Sequence, residues 1–305
     1  MSAKRRFVLV DVFADRPLAG NPLAVFPEAE GLSPETMQAL AREMDHAATA
    51  FLFPSRVPGA AFRLRIFSRD REIASAGHPA LGAHFVHATE TGLPLQEPAT
   101  RVAHEGNDGL VRVELRVERG RIGLLRLTQQ PPVYGPHFDN PSVTRLAEGL
   151  GLKEEQIQAA NQPVQEVSTG FPVLIVPVAT LSDLQAARPR YDLLRAILEG
   201  REASLVYAFT KETIAAPSAA HARAFDTAGS FEIAGAGAAA GALAAYLVAN
   251  AAVTVTPVTS LVIEQGHALN RPSTLFAEVR VKAMAVAQVV VGGRVIRIGE
   301  GTIEA

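Results

Sequence analysis

The chain has 305 residues, 48% of them hydrophobic, with 29 basic and 31 acidic residues, 8 histidines and no cysteine. That length buries a large core in one long domain or two lobes, and a net charge of −2 without a long run of either sign offers nucleic acid or an anionic membrane nothing to hold. The lack of cysteine removes disulfides, thiolate zinc sites, CxxC redox chemistry and thiol nucleophiles together.

The opening MSAKRRFVLVDVF is basic, but its apolar part is short, contains Asp11 and lacks a small-residue cleavage site. It is a poor signal peptide, so the cytoplasm is the expected compartment. Arg6 to Val12 reads as a strand, Gly20-Asn21-Pro22 as a turn and Leu23 to Phe26 as a second strand. A helix follows, with Ser33 as N-cap, Pro34 at its first position and Met37, Leu40, Ala41 and Met44 at helical spacing; it should end near Asp45. Phe62 to Phe67 and Val111 to Val117 alternate as half-buried antiparallel strands do. Between them, Gly77 to Gly92 reads as a helix with small residues at its start and glycine at its stop.

The proline-rich segment Gln129 to Pro141 breaks both periodicities and places a lobe boundary there. The expected division is an N-terminal lobe over 1–130, a C-terminal lobe over 131–285 and final strands, 286–305, returning to the first lobe. The second lobe should hold helices at Ser142 to Leu150, Tyr191 to Leu198 and Gly237 to Asn250. Its strands are expected at Pro172 to Pro177, Ser204 to Phe209, Ala222 to Phe225, Ser260 to Glu264 and Leu275 to Val281, with Gln288 to Ile298 closing the chain. The uncharged run Ile233 to Ala252 is rich in alanine and glycine, which suits a tightly packed core helix better than a membrane span. GHPALGAHFV and GAAAGALAAYL echo one another, both opening on glycine and filled with small residues. An α+β pair of similar lobes is the economical architecture.

A helix N-terminus presents unpaired N–H groups and a positive dipole end, so Gly77 and Gly237 are candidates to hold a carboxylate, glycine allowing close backbone approach. The alternative is that these glycines only let buried helices pack. His78, next to Gly77, is a candidate acid, base or hydrogen-bond donor, and the helix dipole favours its neutral form; its alternative is a capping or packing role. The other histidines form no HxH or HExxH spacing, so no metal site is expected. No GxGxxG follows a strand, and no P-loop or GxSxG elbow occurs.

The stretches VDVFADRPLAGNPLAVF, LAREMDHAATAFLF, IFSRDREIASAGHPALGAH and RPSTLFAEV occur in an order and spacing that resembles the phenazine-biosynthesis isomerase (PhzF-like) family, from about Phe7 to the terminal GEGTI. The resemblance implies a diaminopimelate-epimerase-like α+β fold, with two similar lobes, each a mostly antiparallel sheet wrapped around a central helix, and a cleft between them. It also implies a homodimer without cofactor, acting on a small carboxylic or cyclic acid by moving a proton between carbons. The family usually reads S-E-T-A-F where this chain has Ala47 to Phe51, so Ala48 stands at the catalytic glutamate position. It usually reads E-D-x-x-T-G-S-A-x-G where this chain has Glu232 to Gly241: Ile233 replaces the aspartate, Ala236 the threonine and Ala238 the serine that helps hold substrate.

Three readings follow. In the first, a rewired isomerase uses His78, helped by Asp45, His46 or Glu232, on an acid held near Asn21, Gly77, Gly237 and Ala238; a slipped register around the short loop before Glu232 would bring that carboxylate to the aspartate's place. In the second, a non-catalytic relative binds a small molecule. In the third, the same cleft supports pericyclic or carbon–carbon bond chemistry, where shape and desolvation matter more than a proton shuttle.

Overall fold

The computed structural model describes residues 4–73, 77–107 and 109–305. Ala74-Ser75-Ala76 of the motif before Gly77 lies outside the described residues. In chain order the first elements are β1 (Lys4–Val12), β2 (Asn21–Phe26), α1 (Pro34–Met44), β3 (Thr49–Phe53), β4 (Arg63–Phe67), β5 (Glu72–Ile73), α2 (His78–Thr91), β6 (Ala99–Gly106), β7 (Gly109–Glu118) and β8 (Arg121–Thr128). They continue with β9 (Val133–His137), α3 (Asn140–Leu150), α4 (Glu154–Gln158), β10 (Gln165–Ser168), β11 (Pro172–Pro177), α5 (Leu181–Ala186), α6 (Tyr191–Leu198), β12 (Leu205–Thr210), β13 (Ala220–Asp226) and β14 (Phe231–Ile233). The last are α7 (Gly237–Ala249), β15 (Val258–Gln265), a 3-10 turn (His267–Leu269), β16 (Ser273–Lys282), β17 (Ala285–Gly293) and β18 (Val295–Glu304). The chain forms two compact units, Met1–Leu127 with Gly292–Ala305, and Thr128–Val291. Two sequence expectations need correction. The proline-rich Gln129 to Pro141 contains strand β9, and the closing strand expected over Gln288 to Ile298 is two strands parted at Arg294.

In the first unit β1 lies between β18 and β2, antiparallel to both. β2 and β3 run parallel and are joined through α1; β3 and β4 are antiparallel, and β4 and β6 again parallel, joined through α2. Strand alternation sends Phe26 and Phe51 to the α1 side, where they stack with centroids 4.9 Å apart and pack with Met37, Leu40 and Ala41. The opposite face carries α2, against β1, β2 and β3. Gly82 sets that approach: a methyl group there would come within 2.4 Å of Leu23 and 3.2 Å of Val10, so only glycine lets this helix lie directly on the strands.

The second unit repeats the sequence of pairings. β11 and β12 are parallel, now joined through α5 and α6; β12 and β13 are antiparallel; β13 and β15 are parallel, joined through α7. β10–β11 and β15–β16 match β1–β2 and β6–β7, all antiparallel. Leu174, Val176, Val206, Ala208 and Phe225 face the cluster formed by α3 to α6, while Phe209 turns the other way to meet Tyr246 of α7 edge-on at 5.7 Å. Covered on both faces, β12 is buried at all six positions, which explains its unbroken apolar run. The glycine-led helices therefore occupy equivalent places, and the echo between them reflects a shared topology. No helix among the described residues is long and apolar enough to cross a membrane.

α2 also carries His84 into the core, where its Nε2 lies 2.9 Å from Nδ1 of His104 and both rings are buried. Burial holds His84 well below the usual imidazole pKa, with His104 and His87 adding like-charge repulsion. The native state therefore refuses a proton that the unfolded chain accepts near pH 6.5. Stability should be complete above that pH and fall as pH drops towards the lower native pKa, by about 1.4 kcal/mol per pH unit for each such proton. Urea unfolding between pH 7.5 and 5 checks this; a flat profile contradicts it.

Candidate active site

The first-unit candidates lie on α2, β2 and the segment that joins α1 to β3. Gly77 has φ +74° and ψ −150°, a backbone conformation that L side chains resist, and it caps α2 without any side-chain hydrogen bond. Pro79 has no N–H to leave unpaired, so the helix opens on the backbone N–H groups around it and on His78. The His78 side chain keeps some exposure, yet its Nε2 is buried and has no hydrogen-bond partner among the described residues. Burial, with His46 adding positive repulsion, lowers its pKa from 6.5 to about 3. At neutral pH this imidazole is uncharged.

Asn21 is buried at the start of β2, opposite Val12. The turn before it requires glycine, because Gly20 has φ +67° and a methyl group there would lie 2.4 Å from the Val12 carbonyl oxygen. Ala48 sits one residue before β3 and is 1% exposed, whereas Ala47 is half-buried. Asp45, expected as an assistant to His78, is the left-handed C-cap of α1 with φ +53°. Its carboxylate is exposed and lies 2.9 Å from Arg69 Nε, so it terminates a helix and pairs in solvent.

In the second unit, Glu232, Ile233, Gly237 and Ala238 belong to one segment that leaves β14 and enters α7. Glu232 accepts from Arg223 Nε at 3.0 Å and from Nη2 at 2.8 Å, with both side chains nearly buried. Arg223 Nη1 also donates to the carbonyls of Leu184 and Ala187. This fork-on-fork pair ties β14 to β13 and to the end of α5. In the register, Phe225 faces Glu232 and Ala224 faces Ile233, so the carboxylate expected as a replacement base serves as an anchor. Ile233 is half-buried and contributes only hydrocarbon.

The backbone between Ile233 and Ala236 is gripped by residues that sequence reasoning did not single out for this role. Gln265 donates to the Ile233 carbonyl at 2.6 Å, while its oxygen accepts from the Ala236 N–H at 3.2 Å and from the Tyr207 hydroxyl at 2.9 Å. Ser273 donates to the Ala234 carbonyl at 2.8 Å. Gln265 ends β15 and Gly266 opens the 3-10 turn that leads to Arg271-Pro272-Ser273, and a methyl group at Gly266 would sit 2.5 Å from the Ala234 oxygen. α7 then starts without a side-chain cap at Ala236; Gly237 is buried and Ala238 half-buried.

The assigned residues thus supply two helix starts without side-chain caps, in surroundings of glycine and alanine, and one neutral imidazole with an unpaired nitrogen. Such groups hydrogen-bond to an anion or to a polar group on a small molecule. Among the described residues, Asp45 and Glu232 have ion-pair partners, whereas the buried Nε2 of His78 has no hydrogen-bond partner.

Comparison with known proteins gives the family and the fold. The chain is 32% identical to an uncharacterized isomerase of Mesorhizobium japonicum, with 98% of each covered. It is 30% identical to the trans-2,3-dihydro-3-hydroxyanthranilate isomerase of Pseudomonas aeruginosa, over 97% of this chain and 98% of that one. The crystal structure of a PhzF-family phenazine biosynthesis protein from Bacillus anthracis shares the fold, with a TM-score of 0.89, 23% identity and 99% of each chain covered. The PhzC-PhzF family profile, described as phenazine biosynthesis-like protein, matches residues 10–301, and the chain belongs to that family.

Proposed function

We propose that this protein is a cofactor-free isomerase-type enzyme for a small cyclic or unsaturated carboxylic acid, with the carboxylate proton shuttle of its relatives replaced. It would work as a cytoplasmic homodimer, as the family resemblance implies. The observations that carry the reading are a buried alanine at position 48 and a buried imidazole nitrogen on His78 that has no hydrogen-bond partner among the described residues. One group has lost its chemistry and the other retains an unused bond.

Within the second unit the backbone N–H groups at Gly237 and Ala238 are assigned to a substrate carboxylate, and within the first unit Gly77 and Asn21 are assigned to polar contacts with substrate. His78 is assigned to the reacting carbons. Isomerisation removes one proton from carbon, shifts the double bond and returns one proton elsewhere, so it needs no co-reactant. A nearby substrate carboxylate stabilises imidazolium and raises the His78 pKa from its low value in the free protein, making the ring a better base when it is needed. Asp45 and Glu232, each held in an ion pair, are given at most an assisting role in this reading.

Those same ion pairs favour a second reading, a non-catalytic relative that binds the acid without turning it over. Changed chemistry of a pericyclic or carbon–carbon type is the third. Incubation with trans-2,3-dihydro-3-hydroxyanthranilate and related unsaturated acids in deuterium oxide separates them. The isomerase reading expects deuterium at carbon, reduced roughly a hundred- to ten-thousandfold in His78→Ala; binding without exchange supports the second reading and defeats the first. Ala48→Glu combined with Ile233→Asp should raise exchange if these positions face substrate, and loss of folding in place of gain would show that they belong to the core.

The protonation state of His78 offers a separate check. Because desolvation disfavours the charged ring, NMR titration of the free protein should find His78 neutral down to about pH 4, with its transition near 3. A transition near 6.5 would remove the environment on which its role depends.

A further inference from the structure

The spacing Gly237-xxx-Gly241 is explained by a side chain from outside the helix. Gln129, just after β8, lays its amide against the first turn of α7: Nε2 donates to the Gly237 carbonyl at 3.0 Å, and Oε1 accepts from the Thr169 hydroxyl at 2.7 Å. Thr169 is buried and lies 3.5 Å from the Ala238 carbonyl oxygen. A methyl group on residue 241 would fall 1.8 Å from Gln129 Oε1 and 2.5 Å from its amide carbon, so the glycine is the slot that receives this amide. The Gln129 main chain is pinned as well, its N–H donating to the Val289 carbonyl at 2.9 Å while the neighbouring Gln130 N–H donates to Thr169 at 3.1 Å.

We infer that Gln129, seated in the slot at Gly241 and braced by Thr169, is the positioning residue that sets the first turn of α7 and so aims its N–H groups at the substrate carboxylate. This rests on the proposed role of Gly237 and Ala238. With no capping side chain at Ala236, the direction of those N–H groups depends on how the carbonyl side of the turn is fixed, and Gln129 fixes it without occupying the donor side. Gln129 touches no reacting atom.

Four variants test this: Gln129→Ala, Gln129→Met, which keeps volume without the hydrogen bonds, Gly241→Ala, which evicts the amide, and the Gln129→Ala/Gly241→Ala double variant. Two quantities are measured. The first is hydrogen exchange at the amides of Ala240 and Gly241, with Leu247 further along α7 as internal reference. The second is the ratio of affinities for trans-2,3-dihydro-3-hydroxyanthranilate and its carboxamide, which a loss of overall stability would not change. Each single variant should speed exchange in the first turn and lower the acid-to-amide ratio by about tenfold, the scale of one or two lost hydrogen bonds. The double variant should be no worse than either single one, because both remove the same contact. Unchanged exchange and ratio in Gln129→Met, or full additivity in the double variant, overturns the assignment. If the native protein takes acid and amide equally, the carboxylate reading itself fails, and the exchange rates alone then decide whether Gln129 holds the turn.

Discussion

A helix built largely of small and apolar residues must be covered along most of its length, and the rest of each unit is arranged to cover it. α2 and α7 have no charged residue in their first turns, and most of their residues are buried. A sheet that supplies one wall to such a helix must bring in strands on either side of it, which is why the helix appears as the connection of a parallel pair, β4–β6 in one unit and β13–β15 in the other. Glycine then sets the separation. Gly82 brings α2 onto Leu23, and Gly241 opens a slot for Gln129.

Enclosure satisfies the flank of a helix but not its beginning. The first N–H groups need partners, and neither α2 nor α7 has a capping side chain. What surrounds them differs between the units. At α7, polar side chains grip the carbonyls: Gln265 on Ile233, Ser273 on Ala234 and Gln129 on Gly237. At α2 the neighbouring group is His78, forced neutral by burial. Glu232 shows how a carboxylate close to the segment in sequence can be committed elsewhere, since the guanidinium of Arg223 claims both of its oxygens.

Much of the fold was legible because it rests on local rules. Ser33-Pro34 and Gly92 marked helix ends by capping chemistry, and alternation marked β4 and β7. Short strands such as β5, β10 and β14 carried no such pattern: two to four residues are too few to show a period, and their conformation is imposed by a neighbouring strand. The strand within the proline-rich stretch was hidden for a related reason. β9 is held by pairing with β10 far along the chain, while prolines around it signalled a break.

The sequence by itself determined the resemblance to the family, the two glycine-led helices and the apolar side chains at Ala48 and Ile233, because each is a matter of residue identity at a fixed spacing. Only the tertiary structure decided what the remaining polar groups do. The partners of Asp45 and Glu232, Arg69 and Arg223, come from elsewhere in the chain, and Gln129 carried no signal until its amide was seen lying on Gly241. The physical reason is that the reactivity of a carboxylate, an imidazole or an amide depends on its partners and its access to water, and residues distant in the chain supply both.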